Sequence, residues 1–485
     1  MSLFIKNVLK TARNSYKKLL DMRRSDYWKL QMCGTEDEMR DVAARICRNY
    51  LHGAWKTVDP TSLHFRRISG GLSNFLYYVA LPEDSSKLIG YTGRDSSPEM
   101  EPEALPASFT RLQRVNSTVE EPKKVLLRIY GQVHGERAMD AIVTESVIFT
   151  LLSERRLGPK LHGVFSGGRI EEYIPARALL TKELAEPALS MKIGEKMAAI
   201  HSMDVPLNKE PGWLWKNMGK WIKVVVEERL SGTYQPKNEE ESRIIKELKN
   251  VDFEKEVEWL KLYLATVDSA VVFCHNDMQE EDPPQPPPVG EEEVSLPATE
   301  SSQYVQPYGD KELTAEDSNT CDSILSRISD TGEPRLVLID FEYCAYNYRG
   351  FDIANHFQEW SFDYTNPEYP FYHHLEENAP TLEQKEIFIK QYLKHYVANT
   401  SEERNPSPPS LDAVNRLLNE VDAFAMASHL FWSLWSFVNA SKSKIPFGYW
   451  EYGIARFETY KRLKLEAIKK ENRGSQKRKI CEVDI

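Results

Sequence analysis

The stretch Arg335-Leu-Val-Leu-Ile-Asp340-Phe341-Glu342-Tyr343, running on through Phe351-Asp-Ile-Ala-Asn-His-Phe-Gln-Glu-Trp360, constrains this chain more than any other. Leu336 to Ile339 is an unbroken apolar run of the kind that a strand buried on both faces needs. It ends in a carboxylate. A strand that delivers Asp340 from a packed interior to its own mouth sets a hard anionic oxygen where Mg²⁺ can sit. The plainer reading is an Asp that caps the turn after the strand. A second apolar run, Ala270-Val-Val-Phe273, leads into Cys274-His275-Asn276-Asp277. Two strand-end acids are the minimum set for phosphoryl transfer: one orients or deprotonates the acceptor hydroxyl, the other holds the metal on the nucleotide.

At 485 residues the chain has room for a large core and more than one lobe. An apolar share of 41% and a mean hydropathy of -0.51 predict polar insertions within an ordinary globular core. The net charge of -11 argues against a general nucleic-acid binder, which needs a basic face. Cys33, Cys47, Cys274, Cys321, Cys344 and Cys481 show no CxxC or metal-like spacing, so they read as reduced thiols of a cytoplasmic protein. No apolar run reaches the roughly 18 residues of a membrane span. Lys6 and Lys10 interrupt any signal-peptide core.

Residues 1 to 30 carry eight Lys or Arg and two Asp among Leu3, Phe4, Ile5, Val8 and Leu9. They read as a basic helix, either resting on an anionic membrane surface or forming a solvated arm. Met39, Val42, Ala43, Ile46, Tyr50 and Leu51 recur at the spacing of a core-facing helix. Strand-like residues then flank Gly70-Gly71-Leu72-Ser73-Asn74, which predicts a hairpin whose bare tip lets backbone N–H groups approach a phosphate. A simple turn is the competing reading. Val125 to Tyr130 is a strand bearing Arg128, and a helix from about Met139 to Arg156 bears Glu145. An Arg on a strand and a Glu on the next helix can fix a nucleotide phosphate through their ion pair; a surface Arg beside an unrelated Glu fits the same text.

From Lys182 onward, helical patterns dominate: Leu184 to His201, Trp213 to Leu230, Ser242 to Val267, 380 to 400, 409 to 442, and a final helix to about Lys470. The domain reading is α+β. It comprises a basic arm over 1–35, a β-rich small lobe over 36–176 with a surface insertion at 83–124, a mainly helical large lobe over 177–470, and a tail over 471–485. A Pro- and Glu-rich insertion at 283–333 has too few apolar residues to offset its ordering entropy.

Ile339-Asp-Phe-Glu-Tyr-Cys-Ala-Tyr-Asn-Tyr-Arg-Gly-Phe-Asp-Ile-Ala-Asn-His-Phe-Gln-Glu-Trp360 resembles the second signature of the choline/ethanolamine kinase family at nearly every position. Gly70 to Leu76, Leu127 to Tyr130, Leu157 to Leu161 and Phe431-Trp432-Ser-Leu-Trp435 agree with that family in order and spacing. The resemblance covers nearly the whole chain outside the two insertions, and it implies a protein-kinase-like two-lobed fold. It implies that Asp277 is the base taking the proton of the substrate hydroxyl and that Asp340 holds Mg²⁺ on ATP. Arg128 stands where protein kinases carry a strand lysine, with Glu145 as its partner; a guanidinium there engages two phosphate oxygens at once. Gly70, Gly71, Leu72, Ser73, Asn74, Phe75 and Leu76 would cover the phosphates. The hinge that meets adenine would be Glu172, Tyr173, Ile174, Pro175, Ala176, Arg177 and Ala178, with Gln279 beside the nucleotide.

The implied substrate is choline or ethanolamine, with phosphocholine the product of the choline reaction at the start of phosphatidylcholine synthesis. A trimethylammonium donates no hydrogen bonds, so aromatic faces and a nearby negative charge hold it. Trp432 and Trp435 are three apart and share a helix face. With Tyr364, Phe447 and Tyr452 they would form a cage closed electrostatically by Glu359 and Glu342; the plainer reading makes the two tryptophans core residues. In one segment the chain departs from the family. After His-Asn-Asp the family has Gly-Asn, the Asn being the second magnesium ligand, and then an apolar strand. Here Glu281-Asp282 and Pro283-Pro284 stand instead, and proline cannot donate to a sheet ladder. Asp282 is the candidate second ligand. Two alternatives follow: a catalytically impaired member that binds nucleotide or dimerises with an active relative, and a scaffold recruiting partners through its proline-rich insertion. The family resemblance also implies a homodimer or heterodimer.

Overall fold

In the computed structural model the described residues are 35–68, 74–83, 121–130, 136–165, 167–174, 179–232, 234–279, 336–401, 407–440, 442–443 and 446–481. The expected basic arm, the hairpin tip, most of both insertions, hinge residues 175–178 and Asp282 lie outside them. The chain divides into two units, Met1–Ile174 and Pro175–Ile485.

The first unit is a helix packed on an antiparallel sheet. Helix α1 (Glu36–Tyr50) begins at Thr35, whose hydroxyl accepts from the Glu38 backbone N–H while the Glu38 carboxylate takes that of Thr35. This reciprocal cap satisfies two donors that an open helix start leaves bare. Its apolar positions, among them Met39, Val42, Ala43, Ile46 and Cys47, are buried in one cluster with Trp55, Val79, Leu127 and Ile170. Strands β1 (His64–Ile68), β2 (Asn74–Ala80), β3 (Lys124–Tyr130), β4 (Leu161–Phe165) and β5 (Gly168–Glu172) run in the order β1-β2-β3-β5-β4. Helix α2 (Glu136–Glu154) joins β3 to β4. A Cβ on Gly168 would lie 2.1 Å from the Arg128 carbonyl oxygen. Only glycine lets β5 come this close to the strand bearing Arg128.

The second unit is helical around a small strand pair. Helices α3 (Pro187–His201) and α4 (Trp213–Val224) appear as their spacing predicts, the latter ending in a π-helical turn over Val225–Leu230. The single helix expected over 242–267 is two, α5 (Glu239–Leu248) and α6 (Phe253–Leu264). Asp252 separates them: its side chain accepts from the Lys255 N–H and starts α6 afresh. Strand β6 (Val271–Cys274) pairs antiparallel with β7 (Ala345–Tyr348), and α7 (Arg349–Glu359) follows directly. Two-residue strands β8 (Phe362–Asp363) and β9 (His373–His374) form a clip. Helices α8 (Leu382–Thr400), α9 (Leu411–Asn439) and α10 (Tyr449–Cys481) complete the unit. α9 is buried over most of its length, and a Cβ on Gly453 of α10 would sit 2.4 Å from the Phe437 ring, so the two helices touch closely there.

The strand expected over Leu336 to Ile339 does not form: residues 336–341 carry no regular secondary structure. Leu336 and Leu338 are buried, whereas Ile339 is 60% exposed, so the run covers one face instead of two. A strand exists only through a hydrogen-bonding neighbour. Among the described residues, β6 pairs with β7, which begins after Asp340, and no strand lies beside 336–339.

Candidate active site

Asp277 sits on a turn fixed from below by Asp352 of α7. One carboxylate oxygen of Asp352 accepts the His275 backbone N–H at 2.8 Å, and the other accepts that of Asn276 at 2.7 Å. His201 Nε2 lies 2.9 Å from the same carboxylate, and its Nδ1 lies 2.8 Å from the Tyr392 hydroxyl. An ionised carboxylate only accepts, so Nε2 carries the imidazole proton and Nδ1 accepts from Tyr392. Burial raises the Asp352 pKa, but the hydrogen bond and charge of His201, with His275, outweigh it and hold Asp352 below its ordinary value. The Asn276 side chain is locked as well, its amide donating to the Tyr343 carbonyl at 2.9 Å and its oxygen accepting from Asn347 at 2.8 Å. Asn276 has φ +68°, a left-handed conformation maintained by these contacts.

Cys274 also approaches His201 and Asp352, the three ligand-type atoms lying within 4.8 Å of one another. Burial, then the charge of Asp352, pushes the Cys274 thiol well above its ordinary value. His201 and Asp352 are bonded to one another at 2.9 Å and the Cys274 thiol is turned to the Val272 and Asn347 carbonyls at 3.6 Å, so all three groups are committed within the core.

The Asp340 loop is tied to the Asp277 turn by His275, whose Nε2 lies 3.0 Å from the Ile339 carbonyl oxygen. Asp340 has φ +61°, the second left-handed residue at this place. Its Oδ1 is buried and has no hydrogen-bond partner among the described residues. A buried carboxylate oxygen without a donor is costly unless something positive meets it, and a hard anionic oxygen suits Mg²⁺. The site therefore fits the metal on the Asp340 side. Gln279 follows Asp277 by two residues and is half-buried.

Tyr343 joins these acids to the aromatic residues. Burial, followed by the charges of Glu342 and Asp277 and, less strongly, Asp340, drives its phenol well above the ordinary value, against the Trp435 hydrogen bond. Trp435 Nε1 donates to the Tyr343 hydroxyl at 2.9 Å. The two tryptophans behave differently. Trp432 is buried, donates to Asn355 Oδ1 at 2.6 Å and lies 5.4 Å from Trp435 between ring centres. Trp435 is half-buried, and its ring neighbours Tyr449, which neighbours Phe447. Phe447 lies 5.5 Å from Tyr452 and 6.3 Å from Tyr364, ring centre to ring centre. A cavity of about 200 Å³ opens beside Phe447, bounded also by Tyr369, Tyr449, Trp450 and Glu451.

Glu359, expected to close the cage electrostatically, is itself engaged. It is buried, it forms an ion pair with the fully buried Arg456 of α10, and its Oε2 accepts from the Tyr364 hydroxyl at 2.8 Å. Glu342 is exposed on the turn after Asp340.

In the first unit the expected Arg128–Glu145 pair is replaced by a buried chain of four. Arg128 Nε meets Glu171 Oε1 at 3.0 Å, Arg169 Nε meets the same oxygen at 2.6 Å, and Arg169 Nη1 meets Glu145 at 2.6 Å. Burial raises the Glu171 pKa, yet the two guanidinium groups outweigh it and lower it. Arg169 faces Arg128 across the β3–β5 ladder, and a direct Arg128–Glu145 pair gives way to this closer carboxylate. Phe75 and Leu76 lie on β2, Leu76 opposite Arg128, and Asn74 opens that strand. Glu172 ends β5, its carboxylate accepting from the Lys160 N–H at 3.0 Å, and the Tyr173 ring meets Tyr78 at 4.5 Å; Ile174 is half-buried.

The sequence alone gives no role to Asp352, His201, Tyr343, Glu171, Arg169 or Arg456. For Asp352 and Arg456 a signal was present, a lone charge inside an apolar helical stretch: Gly350-Phe-Asp-Ile-Ala and Gly453-Ile-Ala-Arg-Phe457. For the rest, pairing depends on which strands become neighbours.

The family model for choline/ethanolamine kinase matches residues 65–461. A choline/ethanolamine kinase of Homo sapiens is 38% identical over 425 residues, covering 87% of this chain and 86% of that protein. Choline kinase A2 of Caenorhabditis elegans is 35% identical over 429 residues, covering 88% and 86%. Among solved structures, a choline kinase of Cryptosporidium parvum matches with a TM-score of 0.55 at 23% identity, over 89% of this chain and 97% of that one. A Plasmodium vivax ethanolamine kinase matches with a TM-score of 0.53 at 20% identity, over 88% and 89%. These two likenesses give the protein-kinase-like fold, a small antiparallel sheet lobe and a helical lobe. With the family model spanning most of the sequence, the chain belongs to the choline/ethanolamine kinase family.

Proposed function

We propose that the chain transfers the γ-phosphoryl group of ATP to the hydroxyl of choline, with ethanolamine a second acceptor, in the reaction that opens phosphatidylcholine synthesis. The observation that carries this reading is Tyr343, three residues after Asp340, whose carbonyl accepts from Asn276 beside Asp277 and whose hydroxyl accepts from Trp435. An aromatic surface for an ammonium head is thus joined through one residue to the turns that carry the two acids. The alternative, an impaired or purely binding member, rests on Asp282 and the segment after it, and no observation favours it.

In the reaction, the choline oxygen bonds to the γ-phosphorus as its proton passes to an Asp277 carboxylate oxygen. The bond from that phosphorus to the bridging oxygen breaks, and ADP leaves with the electron pair. Asp352 and Asn276 hold Asp277 at the reacting hydroxyl, which is where most of the rate arises in such transfers. Asp340 Oδ1 would hold Mg²⁺, together with Asp282. The ion, when bound, neutralises charge on the phosphate oxygens. Arg128, steadied by Glu171, would meet phosphate oxygens, the Gly70–Leu76 hairpin would cover them, and residues Glu172 to Ala178 would meet adenine.

No helix among the described residues is long and apolar enough to cross a membrane, and Cys47 and Cys274 are buried thiols outside any disulfide. Both support a cytoplasmic enzyme. Sedimentation of the full chain, alone and with a family relative, tests the homodimer or heterodimer that the family resemblance suggests. For the function, purified chain with ATP and Mg²⁺ is offered a panel of amino alcohols. Choline-dependent ADP release is expected, and Asp277→Asn reduces it about 10²- to 10⁴-fold, the share of a general base. Absence of release with every acceptor sinks the reading.

A further inference from the structure

Four side chains behind the aromatic surface close a ring of hydrogen bonds. Arg456 Nη2 donates to Glu359 Oε1 and, at 2.5 Å, to the Tyr452 hydroxyl. Tyr364 donates its one proton to Glu359 Oε2 at 2.8 Å. The two tyrosine oxygens lie 3.2 Å apart. Since the Tyr364 proton is committed to Glu359, Tyr452 must be the donor in that contact. Every hydroxyl proton in the ring therefore has one direction, and both oxygens of Glu359 are engaged.

The charges in the ring cancel. The Arg456 guanidinium is fully buried, lies 3.9 Å above the Phe362 ring and 4.9 Å from that of Tyr452, and neutralises Glu359 directly. Beside the ring the aromatic faces of Tyr364, Tyr452 and Phe447 gather, their centres 5.5 to 6.3 Å apart, as the surface an ammonium would meet in the kinase reading. Aromatic faces attract any ammonium, but a primary ammonium must also place three N–H donors, whereas a quaternary one has none to place. A buried carboxylate with a donor on each oxygen and its charge met by a guanidinium is a weaker acceptor for a primary amine than a free one.

We propose that Arg456 is the positioning residue that sets the amine selectivity of this pocket, favouring a quaternary ammonium over a primary one by tying up Glu359 and fixing Tyr364 and Tyr452. This inference rests on the reading of the chain as a choline and ethanolamine kinase. Nothing in it requires Arg456 to touch the substrate.

The test compares kcat/KM for choline and for ethanolamine, with the KM for ATP, in the natural chain, Tyr364→Phe and Arg456→Lys. Tyr364→Phe keeps the ring face and frees one oxygen of Glu359. Arg456→Lys keeps the charge but loses the planar group that reaches both Glu359 and Tyr452. The natural chain is expected to prefer choline, and each variant to lower the choline-to-ethanolamine ratio about tenfold, the worth of one hydrogen bond to a charged group, with the ATP KM unchanged. A merely structural role would weaken both amines equally. An unchanged ratio in variants that still turn over overturns the inference and leaves the kinase reading intact. Failure of the natural chain on both amines overturns the kinase reading and this inference with it. If Arg456→Lys does not fold, Tyr364→Phe decides alone.

Discussion

The indole N–H of Trp435 donates to the Tyr343 hydroxyl at 2.9 Å, and the Tyr343 carbonyl accepts at 2.9 Å from Asn276, the residue before Asp277. One residue thus couples the surface that would take the ammonium head to the acid that would act on the hydroxyl.

Replacing Trp435 with Ala removes that ring face and the donor together. The choline KM is expected to rise about tenfold, the scale of a desolvated cation–π contact, while the ATP KM stays within about twofold. Steady-state kinetics in each substrate separates the two. An equal rise in both would place Trp435 in the core beside Trp432.

Asp352 is buried and holds two backbone N–H groups of the Asp277 turn along with His201. Asp352→Asn sets an amide donor against groups that themselves donate. The expected cost is about 3 kcal/mol of stability, as for a broken buried pair, and about 10²-fold in kcat from a misplaced base. Denaturant unfolding and turnover at saturating substrate measure these.

Glu171 carries two buried guanidinium groups on one oxygen. Glu171→Gln leaves both under-compensated, at about 3 kcal/mol. If Arg128 meets the nucleotide, the ATP KM rises and the choline KM does not.

The reading of periodic sequence was reliable where one side of an element faces a large core. α1, α3, α8 and α9 stand where their spacing places them, because burial of an apolar face decides such helices. Leu336 to Ile339 shows the limit: four apolar residues are necessary for a buried strand but supply no partner, and none lies beside them among the described residues. Ion pairs were legible only as types. Glu145 found Arg169 because register, not sequence distance, decides which side chains meet. Trp432 and Trp435 share a spacing, yet their indole N–H groups find different partners, Asn355 for one and Tyr343 for the other.

Stability should fall as the medium is acidified, and His356 sets part of the window. Burial pulls its pKa down to about 4, with Met278 and Asp352 opposing. Nδ1 lies 3.2 Å from the Met278 carbonyl, so it donates, and Nε2 accepts from Trp360 at 3.3 Å. A proton on Nε2 would face that indole donor. The folded pKa lies below the unfolded value of about 6.5, so the stability is complete above about pH 6.5. It is lost progressively as pH falls toward 4, by at most about 3 kcal/mol for this residue. Asp352, also depressed, adds a further loss below the ordinary carboxylate range. Unfolding free energies between pH 7 and 4 should show this slope, and His356→Phe should flatten it by about one proton.

The most direct test of the central claim is the product itself. Full-length chain is incubated with choline, ATP and Mg²⁺, and phosphocholine is followed by phosphorus NMR beside Asp277→Asn. Phosphocholine formed in step with ADP, and lost in the variant, is the expected result. ADP formed without phosphocholine, or a product rate equal in both proteins, would contradict the assignment of Asp277 as the base of a choline kinase.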